Sequence, residues 1–270
     1  MSAAPAPNRS PIAPIADYLT QMSGVTLAEV AKLRHDPTDL FSRAVQPILW
    51  LLLFGQVMSH VGGLRPDQGS YIDFLAPGVL AQSVLFVSIF YGLSAIWERD
   101  LGVLHRYMVS PAPRIALVSG KALASSVRGL CQAVVIYACA GLMGVRLDLS
   151  PGSVALVAVF IILASALFST FSLIIACLVK TRERFMGVGQ FLTMPIFFAS
   201  NAIYPLALMP PWLRVIARIN PLSYVVDGLR ALMLTGGRSV FGLGLDLLVL
   251  GVTLAVLIAI ASWTYPLLTE

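Results

Sequence analysis

The chain has 270 residues, of which 58% are hydrophobic and 11% are charged, and its 18 Lys and Arg against 13 Asp and Glu give a formal charge of +5. Soluble domains carry roughly 25% charged residues and about 45–50% apolar residues. This composition excludes a soluble enzyme and a disordered chain, and it predicts an all-α integral membrane protein. Because the basic residues are scattered between apolar runs, we expect no nucleic-acid partner.

The segment before the first apolar run divides into two parts. Residues 1–16 contain four prolines and predict a mobile cytoplasmic tail. Thr26 and Glu29 have the spacing of a capping box, and the helix that they begin is expected to end before Pro37. With Lys32 and Arg34 on its polar side, residues 17–37 predict an amphipathic helix on the membrane surface. A plain linker helix is the alternative.

Six runs are long and apolar enough to cross a membrane, which takes about 20 residues in a helix. A turn at Ser150-Pro151-Gly152 places the start of the fourth run near Ser153. Arg128 lies inside the third, where it either snorkels to the interface or faces a polar cavity in the bundle. The predicted spans are 42–61, 73–97, 119–144, 153–179, 185–203 and 244–266.

The distribution of Lys and Arg predicts the orientation of these spans. A cytoplasmic N-terminus places eleven of these residues inside and six outside, with Arg128 left in a span. Six spans then leave both termini in the cytoplasm.

A charged loop over residues 98–118 is expected to follow the second span on the cytoplasmic side. It is longer than a connector needs, and Ser110-Pro111 marks a stop within it. These features favour a docking element for a soluble partner, with a solvated loop as the alternative. The candidate residues are Glu98, Arg99, Gly102, His105, Arg106, Ser110 and Pro111.

Prolines break the chain after the fifth span and predict short re-entrant helices on the extracellular side over residues 204–230. Asn220-Pro221 is expected to end one short helix and begin another, and Asp227 and Arg230 are three residues apart, so they could pair. Trp212 suits the level of the lipid headgroups. The candidate residues are Pro205, Pro210, Trp212, Asn220, Pro221, Asp227 and Arg230.

The sequence carries no recognisable catalytic or metal-binding motif. Gly120-Lys121 is followed by Ala122 and lacks the glycine spacing of a phosphate-binding loop, so we expect no ATP site and no enzyme in this chain. No His, Cys or acidic cluster has metal-ligand spacing. Two alternatives remain open: a secondary transporter, which would need acidic groups in its spans or an internal repeat, and a transferase acting on lipid-linked substrates, which would need clustered acidic ligands.

Over residues 20–266 the chain resembles the membrane subunits of type-2 ABC transporters, especially the daunorubicin-resistance type of export permease. Gly102-Val103-Leu104-His105 stands where that family often has Gly-Thr-Leu-Glu, a departure that affects the charges of the docking contact. The resemblance is carried by Glu98-Arg99, Gly102, Val109-Ser110-Pro111 and Gly120-Lys121, and by Pro195, Ser200, Pro205, Met209-Pro210, Trp212-Leu213, Asn220-Pro221-Leu222, Tyr224, Asp227 and Arg230.

This resemblance implies a complex in the inner membrane of a prokaryote. Two permease copies pair, and each rests on a separate subunit that binds ATP and Mg, so this chain needs no cofactor of its own. The interfacial helix and the loop 98–118 contact that subunit, and the short helices 204–230 cap the pathway outside. The cargo is a hydrophobic or amphiphilic drug, lipid or glycan moved outward, with membrane lipids as further partners.

Overall fold

A computed structural model describes residues 45–59, 70–101, 114–179 and 181–265. The predicted tail and the interfacial helix with Glu29, Lys32 and Arg34 lie outside the described residues. Within those ranges the regular structure is helical, without a β-strand, and one isolated bridge joins Leu147 to Leu234. The prediction of a helical protein is therefore confirmed for the described part of the chain.

The described residues form nine helical segments. The first, α1, covers residues 45–59 and contains a π-helical turn at Trp50–Phe54 before Gly55–Ser59. A short 3₁₀ turn, Leu206–Leu208, lies between α6 and α7. The remaining helices are α2 (Tyr71–Tyr91), α3 (Leu93–Asp100), α4 (Arg114–Leu142), α5 (Pro151–Leu178), α6 (Arg182–Phe198), α7 (Pro211–Ile219), α8 (Pro221–Met233) and α9 (Leu243–Thr264).

Four helices among the described residues are long and apolar enough to cross a membrane. They are Tyr71–Asp100, which joins α2 to α3, and Leu117–Leu142, Pro151–Leu178 and Leu243–Thr264. The apolar part of α1, Val45–Val57, is shorter, and α6 has 17 residues with three charged ones in its first turn. The count of six spans therefore stays a prediction.

Side-chain caps fix where several helices begin. Ser70 accepts from the backbone of the first turn of α2 while Asp73 accepts from Ser70 N, a reciprocal capping box. Ser150 caps α5, which begins at Pro151, two residues before the expected Ser153. Proline is well suited to the first helical position because the N–H that it lacks would have no partner there.

Gly92 joins α2 to α3 at a point where α5 lies close to the backbone. A Cβ at Gly92 would lie 2.0 Å from Ser172 Oγ of α5, and the Ser172 hydroxyl donates to the carbonyl of Ile89. The backbone of Gly92 stays in the right-handed helical region, so the chain remains helical as far as Asp100. The helix therefore continues beyond residue 97, the predicted end of the second span.

The central helix of the bundle is α5, which packs against α2, α4, α8 and α9. Two serines of α4 bind its backbone: Ser125 donates to the carbonyl of Ser165 at 3.0 Å, and Ser126 donates to that of Ile162 at 3.1 Å. Interhelical hydrogen bonds of this kind contribute about 0.6 kcal/mol each in membrane proteins. Together they fix the register of α4 against α5.

Candidate functional site

An ion pair joins α3 to α4 at the end of the bundle where these two helices flank residues 102–113. Lys121 Nζ of α4 lies 2.5 Å from Glu98 Oε2 of α3. The side chains of Lys121 and Glu98 are 9% and 18% exposed to solvent. A charge pair with so little water around it is screened less than a surface pair. It therefore holds the last turn of α3 against α4, about two turns after the start of α4 at Arg114.

A second, more exposed cluster connects the same end of α3 to α6. Asp100 Oδ2 lies 2.8 Å from an Arg182 nitrogen, and Arg99 lies 3.1 Å from the other Asp100 oxygen. The Arg182 guanidinium also stacks over the Trp97 ring, 4.7 Å from its centroid. Exposed pairs contribute at most about 1 kcal/mol each. Their effect here is to place the start of α6 beside α3.

The predicted coupling residues divide between described and undescribed parts of the chain. Glu98 and Arg99 lie in the last turn of α3, whereas the prediction placed them in a loop that ran to residue 118, and α4 begins at Arg114. Glu98 and Asp100 of this turn form ion pairs with α4 and α6, and these pairs stabilise the helical turn. Gly102, His105, Arg106, Ser110 and Pro111 lie outside the described residues.

Sequence reasoning missed the basic partners of this cluster. In the sequence, Gly120-Lys121 was interpreted only as part of the family pattern and as lacking the spacing of a phosphate-binding loop, and Arg182 only as one of the eleven inside charges. The available signal was that Lys121 sits among apolar residues near the start of a predicted span. A buried cation needs an anion, and the nearest acids along the chain were at the end of the preceding span.

At the opposite end of the bundle, Asn220 connects three helices. Its Oδ1 accepts from Leu222 N and caps α8, while its Nδ2 donates to the carbonyls of Ile196 at 2.6 Å and Ala199 at 3.1 Å. These two carbonyls belong to the C-terminal end of α6. Asn220 therefore fixes the corner between α7 and α8 onto α6, and Pro221 follows as the first residue of α8.

We expect Asn220→Ala to lower the free energy of unfolding by about 2 kcal/mol, because it removes a helix cap and leaves two carbonyls of α6 without their donor. Asn220→Asp keeps the cap but faces the carbonyls with negative charge, so an equal or larger loss is expected. Thr181→Ala, a cap bond to Arg184 N alone, is the control and should cost about 1 kcal/mol. Denaturant unfolding in detergent measures all three; equal losses for Asn220→Ala and Thr181→Ala would contradict the role of the carbonyl bonds.

Asp227 and Arg230 of α8 do not pair with each other in the way that their spacing suggested. Asp227 accepts from Val240 N at 2.8 Å and from Phe241 N at 3.0 Å. The Arg230 guanidinium donates to the carbonyl of Asn201 at 3.0 Å and lies 3.9 Å from the centroid of the Phe74 ring. The two residues face different neighbours, because α8 lies between the loop before α9 and the start of α2.

The proline-rich connection between α6 and α7 is held by an arginine. Arg214 of α7 donates to the carbonyls of Leu206, Ala207 and Met209. Pro205 precedes the 3₁₀ turn and Pro210 precedes α7. Sequence reasoning counted Arg214 only among the six outside charges, although an arginine in the first turn of α7 can reach back to the carbonyls that precede Pro210.

On the surface of α7, apolar side chains recur at helical spacing. Trp212 is 65% exposed, and Val215, Ile216 and Ile219 are also exposed. Ala217, on another side of the helix, is buried against the protein. An apolar stripe that faces away from the protein is typical of a helix lying along a membrane interface.

Arg128 lies in the middle of α4, half-buried, with its guanidinium carbon 5.5 Å from the centroid of the Tyr91 ring of α2. A cation over an aromatic face is attracted by the ring quadrupole. Arg128 therefore contacts α2 inside the bundle, and the choice between snorkelling to the interface and facing a polar cavity stays a prediction.

Between α1 and α2 lies a cavity of about 260 Å³. Its polar groups include Gln82, which is 3% exposed and whose Oε1 has no hydrogen-bond partner among the described residues. Apolar and polar groups together suit an amphiphilic occupant. The lining residues are Gln46, Pro47, Gln82, Ser83, Phe86, Val87 and Phe90.

These features define an integral membrane protein with charged groups concentrated at the ends of an apolar bundle. Residues 20–234 match the family described as ABC-2 type transporter. The chain is 30% identical over 204 residues to ycf38 of Cyanophora paradoxa, named as a transport permease, with 74% of this chain and 70% of that relative covered. We conclude that the chain belongs to the ABC-2 type transporter family and is a transport permease, which confirms the resemblance.

Two further relatives carry more informative names. The daunorubicin resistance ABC transporter permease protein DrrB1 of Streptomyces coeruleorubidus is 27% identical over 203 residues, covering 74% of this chain and 70% of that protein. The inner membrane transport permease YadH of Escherichia coli K12 is 27% identical over 192 residues, covering 67% of this chain and 70% of that protein.

Proposed function

We propose that this permease is the membrane subunit of an ATP-driven exporter, in which two copies form the pathway and a separate ATP-binding subunit supplies the energy. Membership of the ABC-2 family implies association with an ATP-binding subunit. The observation that supports the proposal further is the set of ion pairs that joins the last turn of α3 to α4 and to the start of α6, next in the chain to the segment predicted to dock that subunit.

The proposed coupling works by moving three helix ends together. A push on residues 98–118 would reach α4 through the pair of Glu98 with Lys121, and α6 through the pair of Asp100 with Arg182. Packed helices transmit such a displacement because they shift as rigid elements. The interfacial helix, with Glu29, Lys32 and Arg34, is the proposed second contact with the ATP-binding subunit.

The proposed cargo is a hydrophobic or amphiphilic molecule. The cavity between α1 and α2 combines the amide of Gln82 with the rings of Phe86 and Phe90. Large apolar side chains of α1 and α6 remain exposed, Leu53 and Phe191 among them. We propose that the second permease copy faces these two helices, so that the pathway forms between the copies.

The proposed orientation places both termini in the cytoplasm of a prokaryotic cell and α7 with α8 at the outer face of the inner membrane. The exposed stripe of α7 that includes Trp212 supports an interfacial position. Pro205, Pro210 and the corner at Asn220-Pro221 give the cap its shape, and its motion would open the outer end of the pathway.

Cysteine labelling tests the docking side of this proposal. After the three native cysteines are replaced, Ala112→Cys is expected to react with a membrane-impermeant maleimide from the cytoplasmic side. Addition of the ATP-binding subunit should then protect it. Leu149→Cys, in the exposed connection between α4 and α5, is the control and is expected to react from outside. Labelling of Ala112→Cys from outside alone would invert the topology and remove the coupling role.

A further inference from the structure

Two buried carboxylates meet where the loop of residues 234–242 joins α8 to α9. Asp227 of α8 and Asp246 in the first turn of α9 both have 0% exposed surface. Ser239 of the loop lies between them: its Oγ is 2.6 Å from Asp227 Oδ2 and 3.2 Å from Asp246 Oδ2. Buried acids normally have a cation or several donors, so this arrangement needs an account of its protons.

The hydroxyl of Ser239 cannot supply both contacts. A serine hydroxyl has one proton to donate and two lone pairs with which to accept. Gly242 N donates to Ser239 Oγ at 2.6 Å and so occupies one lone pair. The single proton serves one carboxylate, and the contact with the other becomes a hydrogen bond only when that carboxyl group carries a proton of its own.

The surrounding donors assign this proton to Asp246. Asp227 accepts from Val240 N and Phe241 N as well as from the serine, a set that suits an ionised carboxylate. Asp246 Oδ1, by contrast, is buried without a hydrogen-bond partner among the described residues. An ionised Asp246 would leave negative charge on an unsolvated oxygen beside a second carboxylate. The free-energy cost of that charge is larger than the stabilisation that the dipole of α9 gives it.

Among the described residues, the other ionisable groups near the site do not provide a cation for Asp246. Arg230 of α8 attracts Asp227 but donates its hydrogen bonds to Phe74 and Asn201. Arg238, next to Ser239, has an exposed side chain. On α4, the nearby titratable group is Tyr137, which is not a cation and whose charged neighbour is Asp148. The packed helix α5 contains no Asp, Glu, Lys, Arg or His.

We propose that Asp227, Ser239 and Asp246 form a proton-binding site in which Asp246 carries the proton at neutral pH. The bound proton joins α8 to α9 through the chain Asp246–Ser239–Asp227. Its loss would leave two buried negative charges on either side of one hydroxyl and would separate the loop from the start of α9. The site makes the α8–α9 junction sensitive to pH, whatever the permease transports.

Infrared spectroscopy of the full-length permease in lipid vesicles tests the proposal. The wild-type protein at neutral pH is expected to show the C=O stretch of a protonated carboxyl group, and Asp246→Asn should remove that band. Asparagine is the chosen replacement because its amide can still donate to Ser239 while it cannot ionise. Asp148→Asn is the matched control: donation from Ser150 N, and then from the Ser153 hydroxyl, holds the pKa of Asp148 below its usual range, so this change should leave the band unaltered.

Thermal unfolding gives a second readout. A group that binds a proton more tightly in the folded state stabilises the protein at low pH, and this stabilisation is lost as the pH rises. The melting temperature of the wild type is therefore expected to fall between mildly acidic and mildly alkaline pH more steeply than that of Asp246→Asn. Absence of the band from the wild type, its persistence in Asp246→Asn, or equal pH slopes would each overturn the proposal. Should Asp246→Asn not fold, Asp246→Glu is the second variant: a shift in the frequency of the band assigns it to this position, and an unshifted band overturns the proposal.

Discussion

Reversal of one charge, Glu98→Lys, is expected to remove most of the ATP hydrolysis that depends on the proposed coupling to an ATP-binding subunit. The substitution places two cations against each other at a position where the Lys121 side chain is only 9% exposed. Loss of one partner costs up to about 1 kcal/mol in an exposed pair and about 3–5 kcal/mol in a buried one. An intermediate loss of about 2 kcal/mol would shift the coupled arrangement of α3 and α4 by roughly 30-fold.

The double variant Glu98→Lys with Lys121→Glu is the test of mechanism. It restores an ion pair of opposite polarity at the same place, and we expect it to recover a substantial part of the activity. Glu183→Gln, an exposed acid in the first turn of α6, is the control for a change of charge at the same end of the bundle. Quantification of the inserted permease separates coupling from insertion. Equal activity in Glu98→Lys and Glu183→Gln would exclude a coupling role for the pair.

A large loss of stability is expected for Gly78→Ala in α2. A Cβ at this position would lie 2.2 Å from the carbonyl oxygen of Ala202, a backbone atom that cannot rotate away. The connection after α6 must then move away from α2, at a cost of about 3 kcal/mol, the upper end of the range for overpacked cores. The displacement would also disturb Asn201, whose carbonyl accepts from Arg230.

The matched control for Gly78→Ala is Gly251→Ala in α9, where an added Cβ meets nothing within 4 Å. Alanine is favoured over glycine in a helix by about 1 kcal/mol, so this change is expected to be neutral or stabilising. Thermal unfolding of both variants in the same detergent measures the difference. Similar melting temperatures would show that α2 and the connection after α6 can separate without loss, contrary to the packing described here.

Much of the fold could be predicted from local features of the sequence. The second, third, fourth and sixth apolar runs correspond to the four helices that qualify as spans, because hydrophobic length is a property of consecutive residues. The positions of helix-breaking prolines were equally informative: the chain breaks at Pro210-Pro211 and at Asn220-Pro221, where α7 and α8 begin. The fifth run was harder to interpret, since Pro195 lies near the end of a helix of 17 residues.

The candidate sites depend on contacts that no local pattern contains. Glu98 meets Lys121 across 23 positions, and Arg230 meets Phe74 across 156. Spacing along one helix suggested that Asp227 would pair with Arg230, but tertiary packing offered Asp227 the backbone of a loop and Arg230 the carbonyls of two other segments. The preference of residues three apart on a helix to pair is overridden when tertiary packing places better donors or acceptors beside each buried group.

ATP turnover in reconstituted vesicles tests the proposed function most directly. Vesicles are prepared with the purified permease alone, and with the permease and an ATP-binding subunit from the same genome. We predict that the permease alone neither binds nor hydrolyses ATP, and that the pair hydrolyses ATP in a manner abolished by Glu98→Lys and recovered by the charge swap. Tight binding or hydrolysis of ATP by the permease alone would contradict the assignment of this chain as the membrane subunit of an ATP-driven exporter.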